Sequence, residues 1–199
     1  MDANSSFSFM NSFPSQETAN FSNKDIKLLT DIPLDNFSSL LPTYKYLDLS
    51  KNNITTMDSD FFKKFINVCY INISGNKITK IQGIEMLNNL KYLDISNNEV
   101  ALIESINNCN ETLEKIIASH NNIHSIALNS EMSKLEYIDV RENQINRLLF
   151  GRFVPHLHTL KIDNNFLTDI SNLSDFEELE IFSASSNQIT EIPKLSKFT

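Results

Sequence analysis

Through most of the chain the apolar residues keep one order: apolar-x-x-apolar-x-apolar-x-x-Asn-x-apolar-x-x-apolar. Tyr44, Leu47, Leu49, Asn52, Ile54 and Met57 fill it first. Leu90, Leu93, Ile95, Asn98, Val100 and Ile103 fill it again two copies later. The asparagines of successive copies are Asn52, Asn76, Asn98, Asn121, Asn143, Asn165 and Asn187, spaced by 24, 22, 23, 22, 22 and 22 residues. So regular a spacing marks an internal repeat, in which one unit cannot bury its own apolar face but a stack can.

Each position has a physical task. The x-L-x-L-x centre alternates at period two, so it predicts a short strand with its leucines turned inward. Asparagine carries both an acceptor and two donors, so it can satisfy backbone left unpaired where the strand turns. The later apolar positions fill the interior from the opposite side. Inward letters repeat because the core repeats, and outward letters vary because nothing packs on them.

These residues resemble the leucine-rich repeat proteins. Segments such as NKITKIQGIEMLNNLKYLDIS, with their 22-residue period, are similar to the class found in regulators of protein phosphatase 1. The resemblance implies an α/β repeat solenoid: a horseshoe with a parallel concave sheet and short helices or 3-10 turns on its convex side. Those helices are expected around residues 58–68 and 174–179. A repeat domain is expected over 24–199, with a capping half-repeat over 24–43 and about seven repeats over 44–199. In the cap, Leu29 and Ile32 match Ile54 and Met57. Residues 1–23, rich in Ser, Asn and Phe and lacking periodicity, are expected to be a disordered tail. The pattern stops after Ile192 where another strand should begin, so a longer protein or a covering partner is expected there.

Charge and cysteine content narrow the function. A formal charge of −8 argues against nucleic acid as a partner. No apolar run is long enough for a membrane span, and no leucine-rich signal segment opens the chain. Cys69 and Cys109 fall about two coils apart, which favours free thiols in a reducing, cytoplasmic setting. With three glycines in all, no phosphate-cradling loop can be written. There is no C-x-x-C and no H-E-x-x-H, so neither a metal nor a cofactor is expected, and no catalytic constellation is visible.

Function must then lie on the outward strand positions. One column contains Tyr46, Tyr70, Tyr92, Lys115 and Tyr137; the next contains Asp48, Asn72, Asp94, Asp139 and Lys161; the third adds Arg141 and Asp163. Tyrosine offers a large rigid surface with a polar tip, so tyrosines backed by aspartates form a candidate protein-binding strip. The expectation is a non-enzymatic scaffold or regulatory subunit that holds another protein on its concave face. The resemblance implies a phosphatase catalytic subunit, and the acidic column a partner with a basic segment. The alternative is a fragment of a ligand-recognition receptor or adhesion ectodomain, which would be extracellular.

Overall fold

The computed structural model describes residues 15–192. Its framework is one parallel sheet of eight strands in sequence order: β1 (Thr18–Asn20), β2 (Tyr46–Asp48), β3 (Tyr70–Asn72), β4 (Tyr92–Asp94), β5 (Lys115–Ile117), β6 (Tyr137–Asp139), β7 (Thr159–Lys161) and β8 (Ile181–Ser183). Register is strict. Leu47, Ile71, Leu93, Ile116, Ile138, Leu160 and Phe182 pair in one row, and all of them but Phe182 are buried. The fold class is the solenoid expected from the repeat.

The asparagines form a continuous ladder. Asn98 accepts from the Ile78 N–H of the preceding coil at 3.0 Å. Its amide donates to the Ile73 carbonyl of that coil at 3.1 Å and to its own Ile95 and Ser96 carbonyls at 3.0 and 3.2 Å. Asn52, Asn76, Asn121, Asn143, Asn165 and Asn187 repeat the arrangement. The residue before each ladder asparagine is left-handed: Lys51, Gly75, Asn97, His120, Glu142, Asn164 and Ser186 all have φ between 54° and 66°. The turn thus needs a conformation that most side chains disfavour, and the asparagine bonds help hold it.

The convex side is mostly 3-10 helix. Among the described residues an α-helix occurs only in the 24-residue coil that begins at β2: α1 (Ser59–Phe62). Asp58 caps it by accepting from Asp60 and Phe61 N–H groups at 2.7 and 3.3 Å. The helix expected around 174–179 starts earlier, as a 3-10 helix at Ser171–Asp175. A 3-10 helix rises about 2.0 Å per residue against 1.5 Å for an α-helix, so it crosses the convex side of a 22-residue coil with fewer residues. The coil between β5 and β6 has no helix of either kind among the described residues.

The N-terminal boundary differs from expectation. Thr18–Asn20 lies inside the segment expected to be disordered, yet it pairs with β2 as a full strand. Phe21 packs edge-on against Phe37, centroids 6.1 Å apart. Ile26, not Leu29, occupies the place of Ile54: its N–H bonds to Asn52, as that of Ile54 bonds to Asn76. The first coil is therefore a degenerate copy, with Ala19 where Leu47 stands and Lys24 where Asn52 stands. Residues 1–14 and 193–199 lie outside the described part.

Candidate functional site

Alternation brings Tyr46, Tyr70, Tyr92, Lys115 and Tyr137 into one register row across β2–β6. From Tyr70 onward the rings and ammonium groups lie one against the next. Tyr70 and Tyr92 stack with centroids 5.5 Å apart. Lys115 Nζ lies 4.9 Å from the Tyr92 centroid and 4.0 Å from that of Tyr137. Lys161 Nζ stands 5.5 Å from the centroid of the same ring. A cation over an aromatic face is attracted by the ring quadrupole, more so when partly desolvated. Burial, then the neighbouring Lys161, pulls the Lys115 ammonium below its ordinary pKa, while Asp139 and Asp94 oppose that.

The aspartate column is not an acidic surface. Asp48 is 5% exposed and Asp139 2%. Asp48, Asn72 and Asp94 each accept the backbone N–H two residues on, from Ser50, Ser74 and Ser96, at 2.9, 3.0 and 2.9 Å. Asp139 is held by Arg141, whose Nε and Nη2 donate to its oxygens at 2.9 and 2.6 Å. The carboxylates close the turns after β2, β4 and β6, and little of their charge faces solvent. Burial raises the Asp94 carboxyl above the ordinary carboxylate value, against the bonds from Ser96. Asp163 bonds forward to Ser183 Oγ and Ser185 N–H at 2.6 and 2.7 Å.

Tyr46 also departs from the outward reading. It is buried, and burial with the Asp48 charge raises its phenol pKa, with the Asn72 side chain beside the hydroxyl. What the concave centre offers is Tyr70, Tyr92, Lys115, Tyr137 and Lys161, each partly exposed. That surface is aromatic and cationic where sequence reasoning expected it aromatic and acidic. Only three-dimensional burial could have told the two apart.

Elsewhere the candidate chemistry is sparse. His120 and His156 pair with Glu142 and Glu178 at 2.8 and 3.0 Å. Among the described residues no three His, Cys, Asp or Glu side chains gather where a metal could sit, and no helix is long and apolar enough to cross a membrane.

A family profile described as leucine rich repeat matches residues 42–100. This chain carries leucine-rich repeats. No curated protein sequence matches it significantly. Among solved structures, internalin C2 from Listeria monocytogenes superposes with a TM-score of 0.78 at 23% identity, covering 92% of this chain and 77% of that one. A TLR13–ssRNA13 complex gives 0.74 at 19%, over 88% and 26%. An LRIM1/APL1C complex gives 0.70 at 20%, over 83% and 29%. This leucine-rich repeat chain thus spans about three quarters of internalin C2 and under a third of the other two. At such identities the likeness concerns the fold. None of the three supports a phosphatase as partner. One of them is a complex with single-stranded RNA, which weakens the exclusion of nucleic acid drawn from the charge of −8.

Proposed function

We propose that the chain is a non-enzymatic module that holds another protein on its concave face, through Tyr70, Tyr92, Tyr137, Lys115 and Lys161. The stack of rings and ammonium groups running across the centre of the sheet carries this reading. It offers rigid, partly exposed aromatic area where an interface loses water most completely, and central aromatic residues are where binding energy concentrates. The burial of Asp48 and Asp139 moves the preferred partner away from a basic segment, toward a flat apolar surface with acidic groups at its edge. A module with such a face would act by positioning what it holds, which is the sense in which it would be a regulatory subunit.

Unpaired cysteines support a reducing compartment. Cys69 and Cys109 are both free, and Cys109 is buried.

The test is partner capture by three forms of the chain. Tyr92→Ala with Tyr137→Ala should abolish capture while circular dichroism and the unfolding midpoint show the coils intact. Lys63→Glu with Lys64→Glu, on the convex side, should capture as well as the parent. Loss in the convex form and retention in the concave one would overturn the reading.

A further inference from the structure

The chain has three arginines, Arg141, Arg147 and Arg152. Arg141 is committed to Asp139. The other two open onto one groove of about 320 Å³ on the flank away from the sheet, between the coils of β5 and β6. His124, Leu149 and Phe153 line it together with residues 125–128. The groove opens at the coil between β5 and β6, which has no convex helix among the described residues, so the chain from Ala118 to Glu136 leaves a depression beside the 3-10 helix Gly151–Phe153.

Three observations give this groove a polarity opposite to that of the whole molecule. No Asp or Glu lines it, although the chain has 25 acidic and 17 basic residues. Neither Arg147 nor Arg152 has an ion pair among the described residues. The Arg152 guanidinium lies over the Phe153 ring at 4.9 Å, which steadies it while leaving its fork of donors free. Beside these cations Leu149 is 60% exposed, an apolar side chain with nothing packed over it.

We propose that this groove is a second docking site, which takes an acidic segment of a partner protein carrying a bulky apolar side chain next to its carboxylate. The carboxylate would accept the paired N–H groups of Arg152 or Arg147, a charge-assisted geometry that lysine cannot reproduce. The apolar side chain would cover Leu149 and the Phe153 ring. A groove of this size takes only a few side chains, so specificity would rest on a short linear motif. The site is independent of the tyrosine face and points the other way, so two partners could be held at once.

Selection of displayed random peptides against the whole chain tests this. The retained peptides should join Asp or Glu to Phe, Leu or Met. Measured by fluorescence anisotropy, they should bind Arg147→Glu with Arg152→Glu about tenfold more weakly or worse, bind Leu149→Gln more weakly, and weaken as salt is raised. All three side chains are exposed or at the surface, so the variants should fold, as circular dichroism would verify. Tyr92→Ala with Tyr137→Ala should leave this binding unchanged, which separates it from the concave face. Retained peptides without acidic residues, or acidic ones indifferent to the arginine exchange, would overturn the proposal. So would phosphatidylserine vesicles or single-stranded RNA binding at these arginines while no peptide does. Stronger binding by a synthetic peptide of residues 1–14 than by any selected sequence would assign the groove to the chain's own terminus instead.

Discussion

The Asp94 carboxylate takes both hydrogen bonds that Ser96 can donate: the backbone N–H at 2.9 Å and the hydroxyl at 2.7 Å, on the same oxygen. One coil earlier Asn72 does the same for Ser74, at 3.0 and 2.7 Å, with no charge. The job therefore needs an acceptor and not an anion. Burial raises the folded-state pKa of Asp94, so its ionised form detracts from stability at neutral pH, and the loss grows as pH rises through that folded value. Asp94→Asn should keep or raise the urea midpoint near neutrality. Asp94→Ala should lower stability by about 1–3 kcal/mol, because the Ser96 N–H would be left unpaired. Equal loss in both variants would show that the charge itself is needed.

Asn98 makes bonds on two coils at once, so its removal should be felt on both. Asn98→Ala is expected to lower stability by about 1–3 kcal/mol in chemical unfolding. Amide exchange should quicken at Ile78, whose N–H loses its acceptor. A midpoint within error of the parent would remove Asn98 from the ladder.

The two glycines Gly75 and Gly151 are needed for different reasons. A Cβ on Gly151 would come within 2.8 Å of the Phe176 ring and 2.9 Å of Asp175, in a buried position. Gly151→Ala should therefore destabilise by about 1–3 kcal/mol through overpacking. At Gly75 the nearest atom would be 3.5 Å away and only the left-handed φ of 66° matters. Asn97 and Asn164 occupy that column already, so Gly75→Asn should be nearly neutral. Thermal unfolding of the two variants side by side decides it.

The phenols of Tyr46 and Tyr92 have pKa values raised by burial first, and then by Asp48 and Asp94 respectively. Their folded pKa exceeds the unfolded value, so the stability they confer is complete below the ordinary 10.0 and is lost as pH climbs toward the folded values. Urea midpoints should fall steeply in that alkaline range. Tyr46→Phe should flatten part of the fall, and an unchanged slope would mean the ring already ionises in the folded state.

Cys109 is 3% exposed, and burial pushes its thiol up to about 11. In the native protein a disulfide reagent near neutral pH should titrate Cys69 and leave Cys109, which reacts only once urea opens the coil. Prompt reaction of both would show that the fourth coil opens readily.

How much of this could be read from the letters depended on where each residue's constraint lies. Leu93 and Asn98 were legible because their roles are local and repeated. The strand at Thr18–Asn20 was not. Ala19 is too small to mark a core position, and Lys24 replaces the asparagine that gives the phase. Alternation puts the aspartates on the right face but does not reveal their exposure, since turn closure draws Asp48 and Asp139 under their neighbours. The arginine groove was invisible for a further reason. It depends on a helix missing between β5 and β6, and the apolar pattern continues through that coil without change. The count of three arginines, two of them five residues apart, was the only hint the sequence held.

Each ladder asparagine reaches back to the coil before it, through one acceptor and one of its donors, and to no coil beyond. The molecule is therefore stitched like a row of identical links, each fastened to one neighbour. A link can be copied without altering the fastening of the others. Duplicating residues 137–158 in place would supply one more strand, one more Asn143 and its own bonds to the previous copy. The concave face would widen by about 4.8 Å, carrying a second Tyr137 in line with the first. Length is thus an adjustable dimension of this fold, and the reach of its binding surface can be set in whole coils.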